Sequence, residues 1–160
     1  MITSGKLTLT LDVKSSVVRD LSTVVDPLLL NIVKTITNGT GSNQATKTYG
    51  DTRTLVTATS ENIELETFGG APSAVGELFT NTRVVAIVIQ NKSATMTLAI
   101  GGEGSANEWT AIPDVINLPP GGILFLYNPA GFTVGATNKL LKINNAGGSD
   151  ADYDIAVVCS

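Results

Sequence analysis

The chain is expected to fold as an antiparallel β-sandwich or barrel, and three observations carry that expectation. Short apolar stretches recur with period-two alternation, the spacing that puts successive side chains on opposite faces of a strand. Glycine, asparagine and proline clusters punctuate them about every 8–12 residues, a spacing typical of sandwiches and barrels. The tally is about nine to eleven strand-length segments, without the intervening helical patterns that βαβ units need. The 160 residues are 42% hydrophobic, enough for a buried core in a single domain spanning residues 1–160.

The elements follow in order. Residues 6–14 alternate without a break: Leu7, Leu9, Leu11 and Val13 share one face, and Lys6, Thr8, Thr10, Asp12 and Lys14 share the other. This is a half-buried strand, either an edge of the fold's own sheet or an arm reaching a neighbour, and an unpaired edge is a template for association. Residues 1–14 are therefore set apart as a candidate N-terminal strand or arm. Asp26-Pro27 has the form of a helix start, but Ile32, Val33, Thr35, Ile36 and Thr37 are β-branched, so residues 28–37 read as a strand ending at the Asn38-Gly39 turn. A polar loop covers 39–44. Residues 46–58 and 61–68 read as strands, the pattern breaks at 69–73, and a short connecting turn falls near 75–79.

In the second half, residues 84–89 (Val-Val-Ala-Ile-Val-Ile) form a continuous apolar run, expected of a strand covered on both faces. Met96, Leu98 and Ile100 alternate. Gly101-Gly102-Glu103-Gly104-Ser105 is a flexible loop leading to Trp109, and residues 115–118 are a short strand stopped by Pro119-Pro120-Gly121-Gly122. Residues 123–127 read as a second buried run, and residues 140–143 and 153–158 complete the sheet across the turn Asn145-Ala146-Gly147-Gly148.

The chemistry of the chain narrows its function. There is no histidine and one cysteine, and only 15% of residues are charged. A Ser-His-Asp arrangement is thereby excluded, and no nucleophile elbow is present. No catalytic, cofactor-binding or metal-binding residue is assigned, and the chain is expected not to be an enzyme. The net charge of −4 with ten scattered Lys and Arg argues against a nucleic-acid partner. No stretch reaches the roughly 18 apolar residues of a spanning helix, and the start lacks the apolar core of a signal peptide, so a membrane partner is not expected. Cys159 reads as a small apolar residue closing the last strand.

Four groups invite a functional reading. Asp150, Asp152 and Asp154 alternate like cation ligands, but Ile155 stands where a calcium loop needs glycine; on a strand they line the solvent face while Tyr153, Ile155 and Val157 turn inward. Trp109, Tyr127 and Phe132 are candidates for a sugar-stacking platform, set against ordinary packing. Glu61, Glu64 and Glu66 offer a carboxylate pair, set against surface solvation. Asn38-Gly39-Thr40 and Asn91-Lys92-Ser93 match the glycosylation pattern and read as turns.

Taken in order, Gly39-Thr40-Gly41-Ser42-Asn43-Gln44-Ala45, Asp51-Thr52-Arg53-Thr54-Leu55, Val85-Ala86-Ile87-Val88-Ile89-Gln90-Asn91, Leu98-Ala99-Ile100-Gly101-Gly102, Leu118-Pro119-Pro120-Gly121-Gly122, Leu140-Leu141-Lys142-Ile143-Asn144-Asn145 and Tyr153-Asp154-Ile155-Ala156-Val157-Val158 resemble small accessory virion proteins of tailed bacteriophages. The resemblance spans nearly the whole chain and rests on turn and strand patterns. It implies a β-sandwich of jelly-roll type and a capsid decoration, cement or head-fibre-base protein, carried in the virion and assembled in the host cytoplasm. It implies as partners copies of itself, as a trimer or pentamer, and the major capsid protein or another virion protein. It brings no catalytic residues. The loops at 38–44 and 101–109 and the N-terminal strand are the expected contact regions. The alternative is a carbohydrate-binding, host-adhesion module of a tail or fibre, for which an exposed aromatic pair near Trp109 is the discriminating feature.

Overall fold

The structure, a computed structural model, describes residues 4–19, 22–70, 79–102 and 104–160, with the side chains of 15–19, 22–24 and 26 left aside. Among the described residues the regular elements are strands and a single 3₁₀ turn, Phe68–Gly70. The strands are β1 (Ser4–Arg19), β2 (Ser22–Asn38), β3 (Gln44–Ala45), β4 (Lys47–Leu55), β5 (Thr59–Glu64), β6 (Arg83–Asn91), β7 (Leu98–Ile100), β8 (Ile116–Leu118), β9 (Ile123–Thr133), β10 (Leu140–Asn145) and β11 (Ala151–Cys159).

The last eight strands make two four-stranded antiparallel sheets, ordered β4-β11-β6-β9 and β5-β10-β7-β8. Their pairings are nested: β4 with β11, β5 with β10, β6 with β9 and β7 with β8. That is one long antiparallel hairpin, rolled up so that β6 also meets β11 and β7 also meets β10. This wrapping is the eight-stranded jelly roll. The expected sandwich is therefore present, and so is the jelly-roll form implied by the resemblance.

Alternation explains the core between the sheets. On β11, Tyr153, Ile155, Val157 and Cys159 point inward and are at most 2% exposed. They meet Ile63, Leu98, Ile100, Leu141 and Ile143 of the facing sheet, with Trp109 and Phe79 filling the ends. Gly101 makes one tight crossing feasible: its φ is +86°, and a Cβ there would stand 2.5 Å from Ile112 Cγ2.

β1 and β2 stand apart from the roll. They pair along their whole length, Ser4 with Thr37 through Arg19 with Ser22, and form a hairpin joined at its base by β3, parallel to β2. The first strand thus pairs within its own chain, and residues 4–14 are half of a longer ribbon. β2 begins at Ser22, earlier than the sequence suggests, and runs through Pro27 as strand, not as a helix start. Proline is accepted there because a two-stranded ribbon has free edges.

The hairpin's base covers the outer face of the β4-β11-β6-β9 sheet. Ile36, Ala45 and Val85 are at most 2% exposed and form a second, smaller core with Leu7, Tyr127 and Val158. This explains the unbroken apolar run of β6: Val84, Ile87 and Ile89 face the inner core, and Val85 faces the hairpin. The second run is a correction. On β9, Leu124 and Leu126 pack inward, but Ile123 is 62% exposed and Phe125 36%, because β9 is a sheet edge whose outer face the hairpin base only partly covers. The turn expected near 75–79 lies outside the described residues except for the buried Phe79.

Candidate interaction surface

The hairpin beyond its base is the feature that neither core explains. From residue 8 upward on β1, and back to residue 33 on β2, every described side chain is exposed. Twelve paired positions at the usual strand rise span about 40 Å. Register sorts the apolar side chains. Leu9 faces Ile32, Leu11 faces Leu30 and Val13 faces Leu28, all on the same side of the ribbon as Leu7 and Ile36. These six are 40–59% exposed. The face that is buried against the roll at the base therefore continues outward, uncovered.

Where that face leaves the body, Leu7, Leu9, Ile32, Lys34, Phe125 and Tyr127 line an apolar cleft. A two-stranded ribbon is marginal in water by itself, and contiguous exposed apolar surface of this kind marks a contact site.

The base is anchored by polar contacts that the sequence does not announce. Arg83, at the start of β6, donates from Nη2 to the carbonyls of Gly41 (2.7 Å) and Gln44 (3.0 Å), from Nη1 to Ala130 O (3.0 Å) and from Nε to Ser160 Oγ (2.7 Å). Gly131, at φ +82°, leaves room for the arginine stem, since a Cβ there would lie 2.7 Å from Arg83 Cδ. Asn43 N donates to Pro129 O (2.8 Å), and Tyr127 hydroxyl bonds Asn43 Oδ1. The 38–44 loop, expected to reach a partner, thus spends much of its hydrogen bonding on its own body. In the other expected contact loop, Gly101 and Trp109 are buried, Gly104 and Ser105 are exposed, and Glu103 lies outside the described residues.

The remaining candidates resolve into structural roles. Trp109 is 1% exposed, donates Nε1 to Thr133 O (3.2 Å) and meets Phe132 edge-on at 5.6 Å, so it offers no platform for a sugar. Asp152 and Asp154 accept cross-strand bonds from Thr54 (2.5 Å) and Thr52 (2.6 Å), Asp154 pairs with Lys92 (3.4 Å), and Asp150 caps Thr57 N (2.9 Å). These carboxylates serve the β4–β11 edge, and no group of three or more metal-ligating side chains occurs among the described residues. Asn91 is fully buried, with Nδ2 donating to the carbonyls of Met96 (2.8 Å) and Leu118 (2.9 Å), so the second glycosylation pattern is a turn brace.

The glutamates are ion-paired where solvation was expected. Lys139 bridges Glu64 (3.2 Å) and Glu66 (3.0 Å). Burial alone would raise the Glu64 carboxyl, but hydrogen bonds from Thr67 and Lys139 outweigh it and hold the group below its ordinary value. Glu61 takes Arg53 (2.7 Å) and the Tyr153 hydroxyl (2.7 Å). Burial first, and then that bond to Glu61, push the Tyr153 phenol far up, so it stays a neutral donor. This cluster ties β4 and β11 of one sheet to β5 of the other.

No protein-family model matches the sequence, and no curated protein matches it. Among solved structures, the chain is similar to a de novo designed double-stranded β-helix at 11% identity and a TM-score of 0.40, covering 68% of this chain and 97% of that one. It is also similar to the cyanophage Pam1 capsid asymmetric unit at 18% identity and a TM-score of 0.34, covering 71% of this chain and 79% of that one. Both likenesses are distant, and neither assigns the chain to a family.

Proposed function

We propose that this chain is a non-enzymatic structural protein of a bacteriophage virion, which binds the capsid as a homo-oligomer and decorates or stabilises the head. The observation that carries this reading is the projecting β1–β2 hairpin, whose apolar face is buried at its base and exposed beyond it. A rigid jelly roll presenting such an arm suits attachment to a lattice: the fold recurs in capsid domains, and many weak equivalent contacts raise occupancy by avidity. The resemblance of the strand and turn order to accessory virion proteins points the same way. The carbohydrate-binding alternative loses its discriminating feature, because Trp109 is buried.

The test is binding to phage heads assembled without this protein. The variant excises residues 10–31 and joins Leu9 to Ile32, which are register partners, through an Asn-Gly turn. It keeps Leu7, Ile36 and the base. The full chain is expected to co-sediment with heads at a saturable stoichiometry, and the shortened chain to bind at least about tenfold more weakly, a loss of roughly 1.4 kcal/mol. Equal binding of the two, with the circular dichroism of both still that of a folded β protein, overturns the role given to the arm.

A further inference from the structure

The two faces of the hairpin differ in a way that selects a kind of assembly. The first face is apolar across its full width: Leu9, Leu11 and Val13 on β1, and Ile32, Leu30 and Leu28 opposite them on β2. The second face is divided. Along β1 it carries Thr8, Thr10, Asp12 and Lys14; along β2 it carries Val33, Asn31, Leu29 and Pro27, with Val25 beyond. Val25 is 54% exposed, Leu29 67% and Val33 44%. Each hairpin thus has two separate apolar patches, one on each side and of unequal width.

We infer that copies of this chain close into a ring of three or more through a heterologous contact, in which the full apolar face of one hairpin rests on the β2 half of the opposite face of the next. This deepens the reading of the hairpin as the assembly element and rests on it. A two-fold dimer joins one patch to itself. It could cover the first face, but it would leave Leu29, Val25 and Val33 in water. A heterologous contact uses both patches on every copy. The offset between a full-width face and a half-width back turns each copy relative to the last, as in a pinwheel, and a closed turn leaves no patch uncovered.

Areas favour the same answer. Full burial of an aliphatic side chain corresponds to roughly 60–120 Å² of apolar surface, so half-exposed ones offer roughly 30–60 Å² each. The six residues of the first face supply roughly 200–350 Å² per copy, and all nine supply roughly 300–500 Å². A standard-size interface takes about 800 Å² per partner, rather more than half of it apolar, or roughly 450–500 Å². Both patches together reach that range, whereas the first falls short of it. The occupant is a second copy because continuity demands an apolar surface of strand geometry, and the other patch of the same hairpin is one.

The experiment measures the mass of the full-length protein and two double variants by size exclusion with light scattering. Leu11→Lys/Leu30→Lys spoils the first face, and Leu29→Lys/Val33→Lys spoils the second. The emission of the buried Trp109 reports that the roll remains folded in each. The wild type is expected at three or more copies and each variant alone as a monomer. An equimolar mixture of the two is expected to give a one-to-one dimer, because one intact junction survives. Retention of the wild-type mass by Leu29→Lys/Val33→Lys, with its loss in Leu11→Lys/Leu30→Lys, means a two-fold contact and overturns the ring. A wild-type monomer or open fibres overturn it as well. Monomers that bind heads sink the ring and leave the capsid role standing; rings that bind no heads do the reverse.

Discussion

Cys159 shows how one residue's surroundings set its chemistry. It is fully buried at the end of β11, with Sγ 3.6 Å from the Lys47 carbonyl. Burial pushes its thiol from 9.0 up to about 12. The protonated form is therefore favoured in the folded chain, and a thiolate is the reacting species. A thiol-specific reagent at pH 8 is expected to leave the native protein essentially unmodified and to label it stoichiometrically in denaturant; rapid labelling of the native protein contradicts this environment. The same shift fixes a pH dependence. Because the folded-state value lies above the unfolded one, the contribution to stability is complete below about pH 9 and is lost as pH rises toward about 12. Cys159→Ala is expected to flatten that alkaline limb in urea titrations.

Between elements, the decisive contact is the Arg83 fork, which holds the 39–44 loop, β9 and the chain's last residue to one guanidinium. Lysine has a single ammonium and cannot reach these divergent acceptors together. Arg83→Lys is expected to cost about 1–3 kcal/mol in urea unfolding, the penalty for orphaned carbonyls, and to speed proteolysis of the hairpin base before that of the roll. Cleavage at the wild-type rate would remove the clamp from the account. This contact had no signal in the sequence: a lone arginine before an apolar run reads like any surface cation. What alternation could announce, it announced. The two faces of β1 and the inward set on β11 lie where period two puts them, and the double coverage of β6 followed from its unbroken apolar run. The same rule failed on β9, because an apolar run says only that both faces are greasy, and Ile123 and Phe125 lie mostly beyond the hairpin's cover. The extent of the hairpin was half legible. Pro27 disguised the start of β2, and pairing across some thirty residues leaves no local mark.

At the scale of the whole molecule, the nested pairings of β4 with β11 and β5 with β10 are non-local, so composition and period alone could reach only a sandwich or barrel. The jelly roll also accounts for the hairpin's freedom: the roll satisfies its own sheets, so the arm's outer half has only solvent or other copies to face. The force that closes those copies is then the withdrawal of aliphatic side chains from water, not charge pairing. The chain carries a net charge of −4, and the patches themselves are leucine, isoleucine and valine. Salt screens charge pairs over about 10 Å at 0.1 M and leaves apolar burial intact, whereas cooling weakens apolar burial. The assembled mass is therefore expected to hold or rise between about 0.05 M and about 0.5 M salt, where the mutual repulsion of acidic bodies is progressively screened. It is expected to fall on cooling from room temperature toward freezing, and the heat-capacity change of association is expected to be negative. Sedimentation velocity over a salt series and a temperature series, with calorimetric dilution at several temperatures, measures all three. Dissociation on adding salt, with assembly indifferent to cooling, would mean that Lys14, Asp12 and their neighbours hold the copies together and that the leucine faces do not.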